Sequence, residues 1–292
     1  FARTSLGRAS LCRPALCSLS KEVREERDVV FRDMPALLRS AVVGALARGP
    51  LPFGPAHPRE SCARLFYRRG LSDGGAIHAV DVNNAMMSDF LGTKDLDFSF
   101  VLPRNPAFAG EAAELLALAP KSPNPPIAVA PGARWATKQW PPEFFARVMD
   151  EIAERRPDAA FVALGTKDEA PLAARISSLV RKARVADLCG RTTLGGLVET
   201  IRGCSLLLCN DSGPMHVAAA LKKPVVAVFG PTDPEKTGPY CEKKSILVPD
   251  SACIRCFKRY CVESPCHSAV DPRAAAQAVC ELLDDNPGRP KQ

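Results

Sequence analysis

The chain has 292 residues, with 39 Lys and Arg against 32 Asp and Glu, 46% hydrophobic and 24% charged. That is the composition of an ordinary globular protein of one or two domains, and it excludes a disordered or fibrous chain. The longest apolar stretch, Ala41 to Ala47, falls far short of the ~20 residues that cross a bilayer, so no transmembrane segment is expected and any membrane role is peripheral.

The formal charge of +7 is less informative than it looks, because Arg3, Arg8, Arg13 and Lys21 precede the first acidic residue, Glu22. The remainder is close to neutral, and only 6% of residues are aromatic. No nucleic-acid partner is expected from such a distribution. Twelve cysteines in a chain long enough to bury a real core read as reduced thiols where they sit in apolar runs, as Cys204 and Cys209 do.

Residues 1–27 form an atypical N-terminal segment, rich in Arg and Ser over its first twenty positions. That composition is shared by transit peptides and mistranslated upstream sequence, and a truncated or chimeric N-terminus is the plainer reading. Residues 28–120 read as a partial N-terminal Rossmann-like domain. Within it Asp28 to Phe31 suggests a strand, Pro35 to Ala47 a helix, and Ile77 to Phe90 a strand edge running into a helix. The Pro-rich stretches Leu102 to Pro106 and Lys121 to Pro126 look like connections.

Residues 121–292 show a clear alternation of short apolar runs and helical patterns, the signature of βα units on a parallel sheet. Strands are expected at Ile127 to Ala130, Phe161 to Leu164, near Val185, at Leu206 to Cys209 and at Val225 to Phe229. Helices are expected between them: one opened by Pro141-Pro142, with Phe144, Phe145, Val148, Met149 and Ile152 on one face, then Ala170 to Val180, Leu194 to Ile201 and Gly213 to Leu221. Five strands with intervening helices make one Rossmann-like layer.

In an open parallel sheet ligands sit beyond the carboxyl ends of the strands. Three loops there stand out. Pro131 to Pro141 carries small residues, the hydroxyl of Thr137 and the cations Arg134 and Lys138, a set that brings amides and an ammonium to a phosphate; the alternative is a solvated loop whose tryptophans cap the core. Asn210 to His216 follows a strand directly. Asp211 or Ser212 suits a helix N-cap, and Gly213 lets a ligand approach the positive end of the helix dipole; the alternative is capping alone, with His216 a core histidine. In Gly165 to Glu169, Asp168 or Glu169 is placed either to bind ribose hydroxyls or merely to start a helix. Together the loops read as a site for a nucleoside diphosphate.

Past the last expected strand comes Cys253-x2-Cys256-x4-Cys261-x4-Cys266, a Cys-rich tail loop. Four thiolates suffice for a tetrahedral structural zinc, and the leading spacing suits one, whereas the later spacings are not those of a standard ribbon; reduced thiols and disulfides are the other readings.

These segments resemble glycosyltransferase family 9, the heptosyltransferases. The resemblance rests on Pro131-Gly132-Ala133 with Trp135, Lys138, Trp140 and Pro141; on Leu188 to Thr192 with Leu194; on Asn210 to Gly213 with His216; and on Phe229 to Pro234 with Gly238-Pro239-Tyr240. Upstream, Asp33 with Leu37 to Ser40, Arg59-Glu60 with Leu65 to Tyr67, and His78 to Asp81 with Asn83 look like the second half of the family's N-terminal domain.

The resemblance implies an α/β fold of GT-B type, two Rossmann-like domains facing across a cleft, the N-terminal one incomplete. It implies transfer of heptose from ADP-heptose to the inner core of lipopolysaccharide, inverting and without a catalytic metal or other cofactor. Lys138, Thr137, Glu169, Asp211, Ser212, Gly213 and His216 are then the donor-binding residues, Glu169 or Asp168 matching the ribose contact. The partners implied are an ADP-sugar and a lipopolysaccharide acceptor at the membrane surface, with the enzyme cytoplasmic or peripheral on the inner membrane. The family's catalytic aspartate, in a Gly-Asp turn after the first strand, has no counterpart in residues 1–27, and neither Asp28 nor Asp33 follows such a turn, so no catalytic base is assigned. That gap leaves open a catalytically impaired nucleotide-sugar-binding remnant, and a nucleotide-sugar epimerase shares the two-domain layout.

Overall fold

A computed structural model describes residues 30–31, 52–67, 69–93, 99–250, 253–262, 266 and 269–285. The expected helix over Pro35 to Ala47, and both Asp28 and Asp33, lie outside the described residues. The chain forms two compact units dividing between residues 98 and 99, not at the 120/121 boundary read from the sequence.

In the first unit, strands β1 (Val30–Phe31), β2 (Pro52–Pro55) and β3 (Arg69–Leu71) form a three-stranded parallel sheet in the order β1-β2-β3. Helix α1 (Ala79–Leu91) begins at His78, whose Nδ1 accepts the Val80 N–H, and ends at Gly92 with φ 68°. The strand edge expected at the start of Ile77 to Phe90 is absent: residues 72–78 form no strand, and Ile77 is 61% exposed and so lacks the burial a strand edge would give it. Phe53, Leu71 and Met86 make the small core, with Phe53 and Phe90 edge to face at 4.6 Å.

The second unit is built on six parallel strands: β4 (Ile127–Ala130), β5 (Ala160–Ala163), β6 (Arg184–Asp187), β7 (Leu206–Asn210), β8 (Val225–Val228) and β9 (Lys244–Leu247). Their order is β6-β5-β4-β7-β8-β9, so the chain first winds outward from β4 and then returns to wind the other way from β7. β4, β5, β7 and β8 are buried along their whole length, as continuous apolar strands covered on both faces must be. Helices α3 (Pro142–Arg155), α4 (Ala170–Leu179) and α8 (Pro272–Asp284) cover one face around Phe145, Met149, Ile152, Ile176 and Val279, and the short α7 (Pro234–Thr237) follows β8. Helices α2 (Pro106–Leu116), α5 (Leu194–Gly203) and α6 (Gly213–Ala220) cover the other around Leu115, Ile201 and Met215.

Three of these elements go beyond the sequence reading. β9 adds a sixth strand at an edge, and α8 closes the sheet's back. Helix α2, which follows the Leu102 to Pro106 connection, packs on α5. Its Glu111 accepts from Thr193 N–H and Oγ1, both at 2.8 Å, which fixes the residue that caps α5. A Cβ on Gly195 or Gly196 would collide with Phe108 or Glu111, so the Gly-Gly pair is what lets the helices approach.

Candidate functional site

The strand order reverses between β4 and β7, and at such a switch point the loops leaving neighbouring strands diverge and open a crevice beyond their carboxyl ends. A cavity of about 860 Å³ lies there, walled by the segments after β4, β5 and β7 and by the start of α5. That volume suits a nucleotide-sized ligand.

The segment after β4 is tied down at both ends by one buried side chain. Asn210, at the end of β7, donates from Nδ2 to the Pro131 carbonyl at 2.7 Å and accepts the Trp140 N–H on Oδ1 at 3.2 Å. Trp140, 1% exposed, drives its ring between Phe144 and Phe145 of α3, at centroid distances of 5.4 and 5.2 Å. The two tryptophans therefore divide the two readings of this loop. Trp140 anchors it in the core, while Trp135 lies under the ammonium of Lys138 at 4.6 Å from the ring centroid.

Lys138 reaches the cavity and pairs with Asp211 Oδ2 at 2.6 Å, the two side chains being only 17% and 6% exposed. The same oxygen accepts the Thr232 hydroxyl at 2.6 Å. Asp211 therefore orients the ammonium. A carboxylate so placed would repel a phosphate by itself, so what it can contribute to an anion site is the placement of Lys138.

Ser212 caps α6. Its Oγ is buried and has no hydrogen-bond partner among the described residues, an arrangement that a ligand oxygen would satisfy. The neighbouring Gly213 has no atom within 4 Å of where a Cβ would stand and an ordinary φ, so nothing in the folded chain requires glycine; the space a side chain would fill is at the positive end of the α6 dipole. His216, one turn further, is exposed and lines the cavity, not the core.

Glu169 lies on the cavity wall and makes a capping box with Thr166, accepting the Thr166 N–H on Oε2 at 2.7 Å. Gly132 is what allows its approach, since a Cβ there would fall 2.0 Å from Glu169 Oε1. The helix-starting reading thus holds for Glu169, and the same side chain faces the cavity. Asp168 is exposed and does not line the cavity.

Thr137 does not line it either. Its side chain is turned away and buried, and its hydroxyl donates to the Lys258 carbonyl at 2.8 Å. Arg134, Lys167, Thr192 and Thr193 do face the cavity, which makes three cations against two carboxylates around it, a balance that favours an anion. Two further residues that shape the site, Asn210 and Thr232, act through partners 70 and 21 residues away, and the sequence offered them only as members of motifs.

The cysteines behave as two sets. Cys204 and Cys209 are buried in the core; burial pushes the Cys204 thiol up to about 12 and Cys209 higher still. Beside the cavity, burial together with Asp187 and Glu169 pushes Cys189 up to about 12. In the tail loop, burial and then the neighbouring Cys253, Cys256 and Cys261 raise the Cys266 thiol. As placed they are not a ligand set: among the described residues no group of three or more His, Cys, Asp or Glu is arranged to hold a metal.

The family model for glycosyltransferase family 9 (heptosyltransferase) matches residues 16–267. Lipopolysaccharide heptosyltransferase 1 of Pseudomonas aeruginosa is 30% identical over 208 residues, 71% of this chain and 55% of that protein. Lipooligosaccharide heptosyltransferase 2 of Campylobacter jejuni is 32% identical over 200 residues, 66% of this chain and 59% of that protein. The chain therefore spans between half and three fifths of these relatives' length. Among solved structures, a family 9 glycosyl transferase from Veillonella parvula superposes with a TM-score of 0.74 at 22% identity, covering 93% of this chain and 79% of that one. E. coli heptosyltransferase WaaC with ADP superposes with a TM-score of 0.69 at 22% identity, covering 94% and 80%. The α/β fold with parallel sheets is thus that of the heptosyltransferase structures, and the sequence match across residues 16–267 makes the chain a member of glycosyltransferase family 9.

Proposed function

We propose that this protein transfers heptose from ADP-heptose to the inner core of a lipopolysaccharide, with inversion at the anomeric carbon and no catalytic metal. The observation that carries this reading is the convergence, at the switch point of the second unit, of a paired ammonium, a helix amino end with an unpartnered buried hydroxyl, and a wall carboxylate. Family membership supplies the sugar and the acceptor.

In this reading the acceptor hydroxyl attacks the anomeric carbon, the bond to the diphosphate oxygen breaks, and negative charge gathers on the departing ADP. Lys138, held by Asp211 and Thr232, and the Gly213 amide at the α6 terminus meet that charge, with the Ser212 hydroxyl open to a ligand oxygen. Glu169 receives the ribose hydroxyls. The lipid-linked acceptor places the reaction at the inner surface of the membrane. No residue is proposed as the base; a group worth typically 10²- to 10⁴-fold is left to be identified. No observation favours the epimerase reading.

Transfer from ADP-heptose to a core acceptor is the direct test, and the expected product is the heptosylated core. Lys138→Ala is expected to weaken ADP binding by about tenfold or more, read by titration calorimetry. Unchanged affinity in that variant would sink the donor site. A structural zinc on Cys253, Cys256, Cys261 and Cys266 is a separate reading that rests on the leading C-x2-C spacing alone, since the thiols as described are not arranged as a ligand set; metal analysis of protein purified without chelators decides it, one zinc per chain supporting it and none overturning it.

A further inference from the structure

We propose that the Cys-rich loop is a clamp on the donor site, and that Thr137 and Arg255 are positioning residues through which it fixes the Lys138–Asp211 pair. The proposal rests on the donor reading above and deepens it.

The loop reaches the ion pair from both of its ends. On the lysine side, Thr137 is the residue before Lys138, 4% exposed, and its hydroxyl donates to the Lys258 carbonyl of the loop at 2.8 Å. Next to it, Arg259 lies 5.0 Å from the centroid of the Trp135 ring, the same ring that carries the Lys138 ammonium at 4.6 Å. On the aspartate side, the Phe257 N–H donates to the Pro231 carbonyl at 2.8 Å, and Arg255 pairs with Asp233 at 3.2 Å and with Glu235 at 2.7 Å. Pro231 and Asp233 flank Thr232, whose hydroxyl holds Asp211.

Each anchor is therefore one residue away from a group in contact with the ion pair. Breaking either would leave the second unit's core intact and let one member of the pair drift. Arg255 and Phe257 also hold left-handed φ values of 56° and 54°, which residues with a Cβ adopt only where their surroundings impose it. The contacts to Pro231, Asp233 and Glu235 are those surroundings.

The loop supplies no group to the ligand space, since none of residues 253–262 lines the cavity. Its effect is on placement. A diphosphate contact to an ammonium loses strength steeply with misplacement, so a small displacement of Lys138 lowers affinity without removing any ligand group.

The test is ADP titration calorimetry on the whole chain, with melting temperature measured alongside. Thr137→Val keeps the shape of the side chain and removes the hydroxyl; about tenfold weaker ADP binding is expected, ~1.4 kcal/mol. Thr137→Ser restores the hydroxyl and most of the affinity. Arg255→Gln is expected to weaken ADP binding severalfold. In a Lys138→Ala background, Thr137→Val should add nothing, because the group it positions has gone. Wild-type affinity in Thr137→Val overturns the clamp, as does a loss that persists in full when Lys138 is absent. Should Thr137→Val fail to fold, Arg255→Gln decides alone: unchanged affinity there overturns it. If Lys138→Ala itself binds ADP normally, the donor reading falls, an outcome distinct from a clamp that fails while Lys138 still matters.

Discussion

The glycines of the second unit have different reasons to be glycine, and the difference is measurable. Gly132 and Gly190 are demanded by the fold: one faces the Glu169 carboxylate, and the other has φ 72° with the Lys167 backbone 2.8 Å from its Cβ position. Gly213 has neither constraint. Gly213→Ala is therefore expected to leave melting unchanged or raise it slightly, since alanine is favoured over glycine in a helix by ~0.5–1 kcal/mol, while ADP affinity falls roughly tenfold. Parallel melting and calorimetry would show the two quantities moving apart. From sequence, Lys138, Asp211, Ser212 and Gly213 stand out because they lie on loops that leave strand ends, where ligands sit in open parallel sheets, and the structure brings all four to one cavity. It misread Thr137, since a hydroxyl beside a cation looks the same whether it points at a phosphate or at a backbone carbonyl 121 residues away. Asn210 was quoted only as part of a motif, for a similar reason: its two partners are brought to it by the sheet.

Among the elements, α3 owes its position to its apolar face and also to one carboxylate. Asp150 accepts the N–H groups of Arg181, Lys182 and Ala183, stitching the end of α3 to the turn that leads into β6. Burial alone would raise its pKa, but those three N–H groups, with the charge of Lys182, hold it below the ordinary carboxylate value. A depressed folded value means stability that is present above the unfolded pKa, near 3.9, and is lost as pH falls through the lower folded one. Asp150→Asn should cost about 1 kcal/mol at neutral pH, with the gap to wild type closing as the pH drops below about 4, as followed by urea unfolding. A gap that stayed constant with pH would show that the charge is irrelevant. The long buried strands and α3 were legible because their patterns are strong. β9 was not: as an edge strand it alternates only weakly, with Lys244 exposed and Ser245, Ile246 and Leu247 half-buried. α2 escaped notice because its run of alanines around Gly110 offers little contrast between faces, although its packing on α5 is extensive.

For the molecule as a whole, a ligand held by three strand-end loops stabilises the unit those loops belong to. ADP at one hundred times its dissociation constant should add ~2.7 kcal/mol, which for a unit of this size corresponds to a rise in melting temperature of roughly 5–10 °C in scanning calorimetry. With affinity tenfold weaker, Lys138→Ala at the same nucleotide concentration should gain only ~1.4 kcal/mol, about half the rise. The doubly wound architecture was readable from the alternation of apolar runs and helices, whereas the position of the division at residues 98 and 99 was not, because it depends on which sheet α2 packs against. Asn210 adds one more consequence. By gripping Pro131 and Trp140 it turns everything between them into a bridge span with fixed abutments. Changes at Arg134, which faces the cavity from that span, leave both abutments in place, and any redesign of what the cavity accepts should begin there.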